Sequence, residues 1–299
     1  MAMNRGDMDT DMLRSYSSAF SRSVFSDILS YSDFSQLDWL YGEYGEKLKE
    51  GCSYLDFLSH IYKALSRSYR CEYVFKNEII NQLLIKKYGT KNTIAFNEFK
   101  VGDSIVDLAI MNGESKAFEI KTSLDTPRRL KKQMCDYRKI FNKCYVVVDI
   151  NECGAYVKHL DEAIGIVTLS NNKGRIRLEE YRPAMKNHKI DSNVLIGCLR
   201  ITEYEKIVKR HFGNLPDVPS YHMFDACKEQ FSLIDSNCLN GMFLEEIKKR
   251  KSATEHLKDS PSFLRQMTLS LNLSPKNQAT LIRELYKPIN YNSICTIRI

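Results

Sequence analysis

Two short apolar stretches, separated by a turn, decide how this chain folds. The first reads Ile105-Val106-Asp107-Leu108-Ala109-Ile110, and the second reads Ala117-Phe118-Glu119-Ile120-Lys121. Both have the length and the residue types of buried β-strands. Each contains a carboxylate, which is costly to bury unless a cation or a hydrogen-bond donor compensates for its charge. The pattern therefore predicts two central strands that carry a functional cluster of charges.

The turn between these strands determines which side chains share a face of the sheet. A two-residue turn would place Asp107 opposite Phe118, on the wrong face for Glu119. A three-residue loop over 112–114 places Asp107 opposite Glu119 instead. We therefore predict the three-residue loop, because it puts both carboxylates and Lys121 on one face of the sheet.

Two carboxylates that converge on one point repel each other and favour a cation. Mg²⁺ prefers oxygen ligands and keeps several waters, and it can both bind a phosphate oxygen and activate a water. A lysine beside the ion can position that water and offset charge on the phosphate. Asp107 and Glu119 are thus candidate metal ligands, and Lys121 is a candidate catalytic group for phosphodiester hydrolysis. Mn²⁺ is expected to substitute for Mg²⁺.

A Glu-x-Lys pair is not specific by itself, since the chain contains four of them. The pair at Glu119 differs from the others because its flanks are apolar and a strand bearing an Asp precedes it. The other three pairs begin at Glu98, Glu114 and Glu246. The pair at Glu98 lies in a strand that no Asp-bearing strand precedes. The pair at Glu114 lies across a turn, and the pair at Glu246 lies in a charged helix. A structural ion-pair cluster at a sheet edge is the alternative to a metal site at Glu119.

The order of these residues resembles the signature of the PD-(D/E)XK nuclease superfamily. The resemblance rests on Val106-Asp107, the strand turn and Glu119-Ile120-Lys121, and it covers residues 70–150. It implies a restriction-endonuclease-like α/β fold, in which helices flank a mixed central sheet. The sequence departs from the common pattern at Val106, where proline is frequent, and it lacks the cysteines of members with an iron–sulfur cluster.

The resemblance also implies further site residues. In the superfamily a helix before the first strand often supplies another acidic ligand. Glu72 is favoured here as that catalytic and metal-binding carboxylate, because its surroundings resemble an uncharacterised bacterial family, and Glu78 is the alternative. Gln133 and Tyr137 resemble the Gln-x-x-x-Tyr element of RecB-like members, and a spacing of four puts them on one helix face. They would line the path of the nucleic acid.

Positive charge is concentrated next to this motif. The chain has a net charge of +7, and the stretch 121–143 alone has a surplus of six positive charges. Four of these cations open the helix that follows Lys121, namely Arg128, Arg129, Lys131 and Lys132. A basic helix at this place predicts contacts with nucleic-acid phosphates, and a solvated helix face is the alternative. DNA is the substrate that the resemblance implies.

Pattern and composition divide the chain into three segments. We expect an N-terminal helical segment over 1–53, a nuclease-like core over 54–188 and a mainly helical C-terminal region of unknown role over 189–299. No apolar run reaches the length of about 18 residues that a membrane span needs, and the N-terminus has no signal pattern. The nine cysteines contain no Cys-x-x-Cys. These features favour a reduced, cytoplasmic location without membrane contact.

The residues and their location thus predict a cytoplasmic Mg²⁺-dependent nuclease. The resemblance implies a bacterial protein that acts in defence, repair or the biology of mobile elements. A homodimer is a reasonable expectation, since one such site cuts one strand. One alternative is a nuclease fold that binds nucleic acid or a partner without cleaving. Another is a toxin- or effector-like partner protein whose helical C-terminal region carries the function.

Overall fold

Two compact units make up this chain in the computed structural model, which describes residues 10–45, 51–122, 125, 127–172 and 175–289. The helical unit contains the described residues of 1–85, 171–177 and 256–299, and the sheet unit contains those of 86–170 and 178–255. Each unit has its own hydrophobic core. These two units are divided at other positions than the predicted segments. The domain boundaries expected from the sequence, 1–53, 54–188 and 189–299, therefore stay a prediction.

Helices and strands follow the α/β order expected from the sequence, with a helical C-terminal region. The helices are α1 Thr10–Ser18, α2 Arg22–Tyr31, α3 Ser35–Tyr44, α4 Tyr54–Ser68, α5 Glu72–Glu78, α6 Leu130–Arg138, α7 Cys153–Val157, α8 Ser192–Ile196, α9 Ile201–Phe212, α10 Met223–Ser232, α11 Ser236–Lys248, α12 Arg265–Ser270 and α13 Pro275–Leu285. The strands are β1 Ile94–Val101, β2 Ser104–Met111, β3 Ser115–Lys121, β4 Lys143–Asp149, β5 Gly165–Asn172 and β6 Arg175–Arg182. A π-helix, Ile79–Tyr88, continues α5, and 3₁₀ turns cover Pro127–Arg129, Ser220–His222 and Ala253–Asp259. Of the helices in the described ranges, none combines the length and the apolar character that crossing a membrane requires.

The helical unit shows how strongly the sequence specifies its helices. In α4 the side chains of Phe57, Ile61 and Leu65 recur at helical spacing and are fully buried. A capping box formed by Ser53 and Asp56 satisfies backbone N–H groups at the start of this helix. The sequence therefore determines both where α4 begins and which face it buries.

A mixed sheet of six strands, in the order β1-β2-β3-β4-β5-β6, positions the predicted site. The pairs β1–β2 and β2–β3 are antiparallel, whereas β3–β4 and β4–β5 are parallel. The chain passes from β3 to its parallel neighbour β4 through α6, as the strand-helix-strand pattern predicts. Every residue of β3 is buried. The predicted mixed sheet flanked by helices is thus confirmed.

The loop between β2 and β3 spans three residues, 112–114, and this confirms the predicted register. Ala109 lies opposite Ala117 in the ladder, and the N–H of the first loop residue donates to the carbonyl of the last at 3.1 Å. Gly113 has a φ of 94°, a left-handed conformation that glycine adopts at little cost. The loop therefore keeps the odd number of residues that the side-chain pattern requires.

Glu114, the last residue of this loop, is held by three lysines. Its carboxylate lies 2.9 Å from Nζ of Lys186, 3.2 Å from Nζ of Lys143 and 3.7 Å from Nζ of Lys116. The hydrogen bond from Lys186, joined by that from Lys143 and opposed by burial, lowers the pKa of Glu114 to about 2. The ionised form of Glu114 therefore stabilises the folded state.

We predict that Glu114→Gln lowers the free energy of unfolding by about 1–2 kcal/mol at pH 7, since the carboxylate is partly exposed and its ion pairs are partly screened. The folded-state pKa lies below the ordinary value of 4.5. The stabilisation is therefore present above pH 4.5 and is lost as the pH falls toward 2. Urea unfolding of both proteins at neutral and acidic pH measures the difference. A difference that does not shrink in acid would show that the residue acts through packing and not through its charge.

Strands β4 and β5 approach each other closely at Gly165. A Cβ at this position would lie 2.4 Å from the ring of Tyr145 and 2.8 Å from the backbone nitrogen of Ala184. Gly165→Ala should therefore lower the free energy of unfolding by about 1–3 kcal/mol, as measured by urea unfolding. Gly154→Ala in α7 is the matched control, because a Cβ there has no neighbour within 4 Å, and it should not destabilise the protein.

Candidate functional site

Strands β2 and β3 separate at one end of their ladder and form a fork. The ladder ends at the pair Leu108–Phe118. Beyond this pair, 104–106 of β2 pair with β1, and 119–121 of β3 pair with β4. Asp107 lies at the branch point, where its Oδ2 accepts a hydrogen bond of 2.7 Å from the N–H of Ile120. A carboxylate thus takes the place of strand pairing at the point where the fork opens.

Glu119 and Lys121 form a buried ion pair on the β3 side of the fork. The two residues are 2% and 8% exposed, and Lys121 Nζ lies 2.8 Å from Glu119 Oε1. Lys121 Nζ also donates to Oε1 of Gln133 at 3.2 Å. Because each charge has a close partner, the cost of removing the two groups from water is compensated in part.

Helix α6 spans the fork through Tyr137, which is fully buried. Its hydroxyl lies 2.6 Å from the carbonyl oxygen of Ile105 on β2 and 2.8 Å from Oε2 of Glu119 on β3. Burial, followed by the negative charge of Glu119, raises the pKa of Tyr137 well above its ordinary value. The phenol therefore keeps its proton, and this single donor serves two acceptors on the two sides of the fork.

Helix α6 is anchored beside the fork by a contact that was not predicted from the sequence. The hydroxyl of Ser104 donates to Oδ2 of Asp136 at 2.7 Å, and Lys139 Nζ lies 2.9 Å from Oδ1. Burial opposes ionisation of Asp136, but the hydrogen bonds from Lys139 and Ser104 are stronger and lower its pKa. The sequence signal for this anchor is an acidic residue directly before Tyr137 in an otherwise basic helix.

The structure brings five of the predicted site residues together at the fork. They are Asp107, Glu119, Lys121, Gln133 and Tyr137. Asp107 joins the remaining four through its bond to Ile120, the residue between Glu119 and Lys121. Two carboxylates, one ammonium group, one amide and one phenol thus share a small volume at the open end of a buried sheet.

The four predicted basic residues line the start of α6. Arg128 and Arg129 lie in the 3₁₀ turn before the helix, and Lys131 and Lys132 lie in its first turn. All four are exposed. Lys132 Nζ is 3.5 Å from Oδ2 of Asp103, in a pair that is open to solvent. These cations are therefore accessible to a polyanion.

Glu72 and Glu78, the two candidates for a third carboxylate, belong to the helical unit. Glu72 is exposed over more than half of its side chain and lies 2.6 Å from Nζ of Lys76. Glu78 accepts hydrogen bonds from Tyr62 at 2.7 Å and from Gln82 at 2.6 Å. The role of Glu72 as a metal ligand stays a prediction.

Asp107 and Glu119 are the carboxylates that the fork offers to a metal ion. A carboxylate has about four lone-pair sites, so one carboxylate can accept hydrogen bonds and bind a metal ion at the same time. Mg²⁺ is commonly held by one or two protein carboxylates, with water and phosphate oxygens completing its shell. Across the residues that the structure describes, no group of three or more His, Cys, Asp or Glu has an arrangement suited to a metal. The fork supplies two carboxylates, the number that a protein commonly gives to Mg²⁺.

Comparison with known proteins assigns the chain to a phage protein family. Residues 65–280 match the family described as bacteriophage P4 protein cII. The chain belongs to this family. The matched region contains the whole fork and α6.

Protein cII of Enterobacteria phage P4 is 23% identical to this chain over 175 residues. The alignment covers 58% of this chain and 65% of the phage protein, so the chain spans just under two thirds of that relative's length. Among solved structures, a protein of unknown function from Silicibacter pomeroyi is similar at 17% identity and a TM-score of 0.28. That similarity covers 40% of this chain and 81% of the other, and it adds nothing to the fold described above.

We predict that Tyr137→Phe lowers the free energy of unfolding by about 1–3 kcal/mol, because it leaves the buried Glu119 Oε2 and the part-buried Ile105 O without this donor. Urea unfolding measures this loss. The matched control is Tyr181→Phe, since Tyr181 is 58% exposed and its hydroxyl should contribute little. Equal stabilities of the two variants would contradict the view that the Tyr137 hydroxyl holds the two sides of the fork.

Proposed function

We propose that this chain is a metal-dependent nuclease that hydrolyses phosphodiester bonds in DNA. The observation that carries the proposal is the fork, where Asp107, Glu119 and Lys121 meet Gln133 and Tyr137. These are the residues through which the sequence resembles the PD-(D/E)XK superfamily and its RecB-like branch. The proposal includes a restriction-endonuclease-like fold and a cytoplasmic location.

The chemistry of the fork suits the hydrolysis of a phosphodiester. A bound Mg²⁺ would supply a Lewis acid for a phosphate oxygen and an activated water. Asp107 and Glu119 would hold the ion, and the Lys121 ammonium would orient the attacking water and stabilise charge that develops on the phosphate. The Gln133 amide fixes the position of Lys121 Nζ through their 3.2 Å hydrogen bond. The Tyr137 phenol fixes one oxygen of Glu119.

The assignment of a nucleic acid as the substrate rests on positive charge. Arg128, Arg129, Lys131 and Lys132 open α6, the helix that carries Gln133 and Tyr137, so a phosphate backbone bound by these cations would run close to the fork. Lysine and arginine contacts with phosphates give affinity without sequence specificity and are sensitive to salt. DNA is proposed over RNA on the resemblance. Glu72 as a third carboxylate, and a homodimer or partner contact through α8–α13, belong to the same proposal.

A catalytically silent nuclease fold that binds nucleic acid or a partner protein is the second candidate. The observation that favours it is the pairing of Glu119, whose two oxygens accept hydrogen bonds from Lys121 and Tyr137. A carboxylate satisfied by the protein's own donors can serve a structural purpose without a metal. The two candidates differ in whether cleavage occurs, and a single assay separates them.

We predict that supercoiled plasmid and labelled single-stranded DNA are cut by the protein with Mg²⁺ or Mn²⁺ but not with EDTA. Asp107→Asn keeps an oxygen that can accept from the Ile120 N–H but removes the charge, and it should reduce the cleavage rate about 100-fold or more. Lys121→Ala should do the same. Lys100→Ala is the matched control, since Lys100 is the exposed lysine of another Glu-x-Lys pair on β1, and its rate should equal that of the wild type.

Binding measured on the same DNA distinguishes the candidates. Cleavage that is lost in Asp107→Asn and Lys121→Ala but retained in Lys100→Ala supports the nuclease. DNA binding of equal strength in wild type and Asp107→Asn, with no cutting in either metal, supports the silent fold. Circular dichroism melting of each variant establishes that it is folded before its rate is compared.

A further inference from the structure

A cavity in the sheet unit lies next to α6 and shares none of the fork's residues. Its volume is about 630 Å³, within the range of roughly 300–1,000 Å³ that is typical of small-ligand pockets. Apolar side chains line it from three segments: Leu130 and Met134 of α6, Tyr156 of α7, and Leu160 and Ile164 before β5. All five are buried or partly buried. The cavity thus offers apolar surface to a ligand of the size of a nucleotide.

Helix α6 lines the cavity with two cations and a thiol. These are Lys131, Arg138 and Cys135, and their spacing of four and three residues places them on one helix face. Arg138 Nη1 lies 3.5 Å from Oδ1 of Asp161, in a pair whose side chains are 41% and 65% exposed. Such an exposed pair is weak, so the guanidinium can exchange its partner for a phosphate, which it binds in a bidentate manner.

Carboxylates line the same cavity from other segments of the chain. Asp125, Glu152 and Asp161 all border it. Asp125 and Glu152 border the cavity together with the ring of Tyr156. Acceptors close to an aromatic ring are suited to bind the amino groups at the edge of a planar base.

We propose that this cavity binds a single nucleotide. A nucleotide has two apolar ring faces, an edge that donates hydrogen bonds and an anionic phosphate. The apolar lining matches the ring faces, the carboxylates of Asp125 and Glu152 match the amino edge, and Lys131 and Arg138 match the phosphate. The ligand is a free nucleoside monophosphate or one nucleotide of a strand turned out of its stack.

This inference goes beyond the nuclease proposal. The fork uses Gln133 and Tyr137, neither of which borders the cavity. Lys131, Cys135 and Arg138 border the cavity from another face of α6. Nucleotide binding in the cavity requires neither a metal nor cleavage. The two sites can therefore be tested separately in the same protein.

Isothermal titration of the full chain with dCMP and with dTMP tests the proposal. Ala155 is exposed on α7 and borders the cavity, so Ala155→Trp fills the cavity without changing a buried residue. We expect binding of dCMP, at least tenfold weaker binding in Ala155→Trp and in Arg138→Ala, and unchanged binding in Lys158→Trp, the matched control on the exposed surface. Binding of dTMP, which lacks an exocyclic amine, should be about tenfold weaker than that of dCMP.

Protection of a thiol gives a second measurement that needs no variant. Cys135 borders the cavity, whereas Cys238 of α11 does not, and both are exposed. Saturating dCMP should slow the reaction of Cys135 with N-ethylmaleimide at least threefold and leave the rate at Cys238 unchanged, as followed by mass spectrometry of peptides. Equal rates at Cys135 with and without dCMP, together with equal titrations of Ala155→Trp and Lys158→Trp, would overturn the proposal for a free nucleotide.

A short single-stranded oligonucleotide separates the two sources of the nucleotide. If dCMP does not bind, but the oligonucleotide binds at least tenfold more weakly to Ala155→Trp than to Lys158→Trp, the ligand is a nucleotide within a strand. Equal binding of dCMP and of the oligonucleotide to both variants rejects the cavity as a nucleotide site. DNA cleavage by the same variants is recorded in parallel. Nucleotide binding in the cavity without any DNA cleavage would refute the nuclease proposal and leave the cavity proposal standing.

Discussion

The hydroxyl of Tyr137 is the interaction on which the candidate site depends. It contacts Ile105 on one strand and Glu119 on the other, at the place where β2 and β3 no longer pair with each other. The helix that carries it is anchored by the bond between Ser104 and Asp136. Asp107 of β2 also reaches β3, through the N–H of Ile120, so the phenol and this carboxylate together determine how far the fork opens. The position of the Glu119 carboxylate is therefore determined by the helix as much as by its own strand.

The fork also explains how a buried sheet accommodates several charged groups. A fully paired sheet has no room for a carboxylate between its strands, because each N–H and C=O is used by a neighbour. At the branch point the Ile120 N–H is available, and Asp107 accepts from it. Glu119 and Lys121 then satisfy each other beside it. The polar cluster thus replaces hydrogen bonds that the separation of the two strands removes.

Much of this arrangement could be predicted from the sequence, because it depends on local patterns. Strand β2 begins and ends where the apolar alternation does, and the loop 112–114 follows from the need to bring Asp107 and Glu119 to one face. The opening of the fork could not be predicted, since it depends on contacts between segments far apart in the sequence, such as those of Tyr137 with Ile105 and Glu119. The anchor at Asp136 is likewise a contact between elements. The mixing of early and late segments in the helical unit also arises from long-range packing, which a periodic pattern does not encode.

The three-residue loop has a consequence for how such sequences can change over time. Side chains alternate between the two faces of a strand, so losing or gaining one residue in 112–114 would turn Asp107 and Glu119 to opposite faces. Losing or gaining two residues would preserve their common face. Descendants of this sequence that keep both carboxylates are therefore confined to loops of odd length, and changes in the gene at this point are tolerated in steps of two codons.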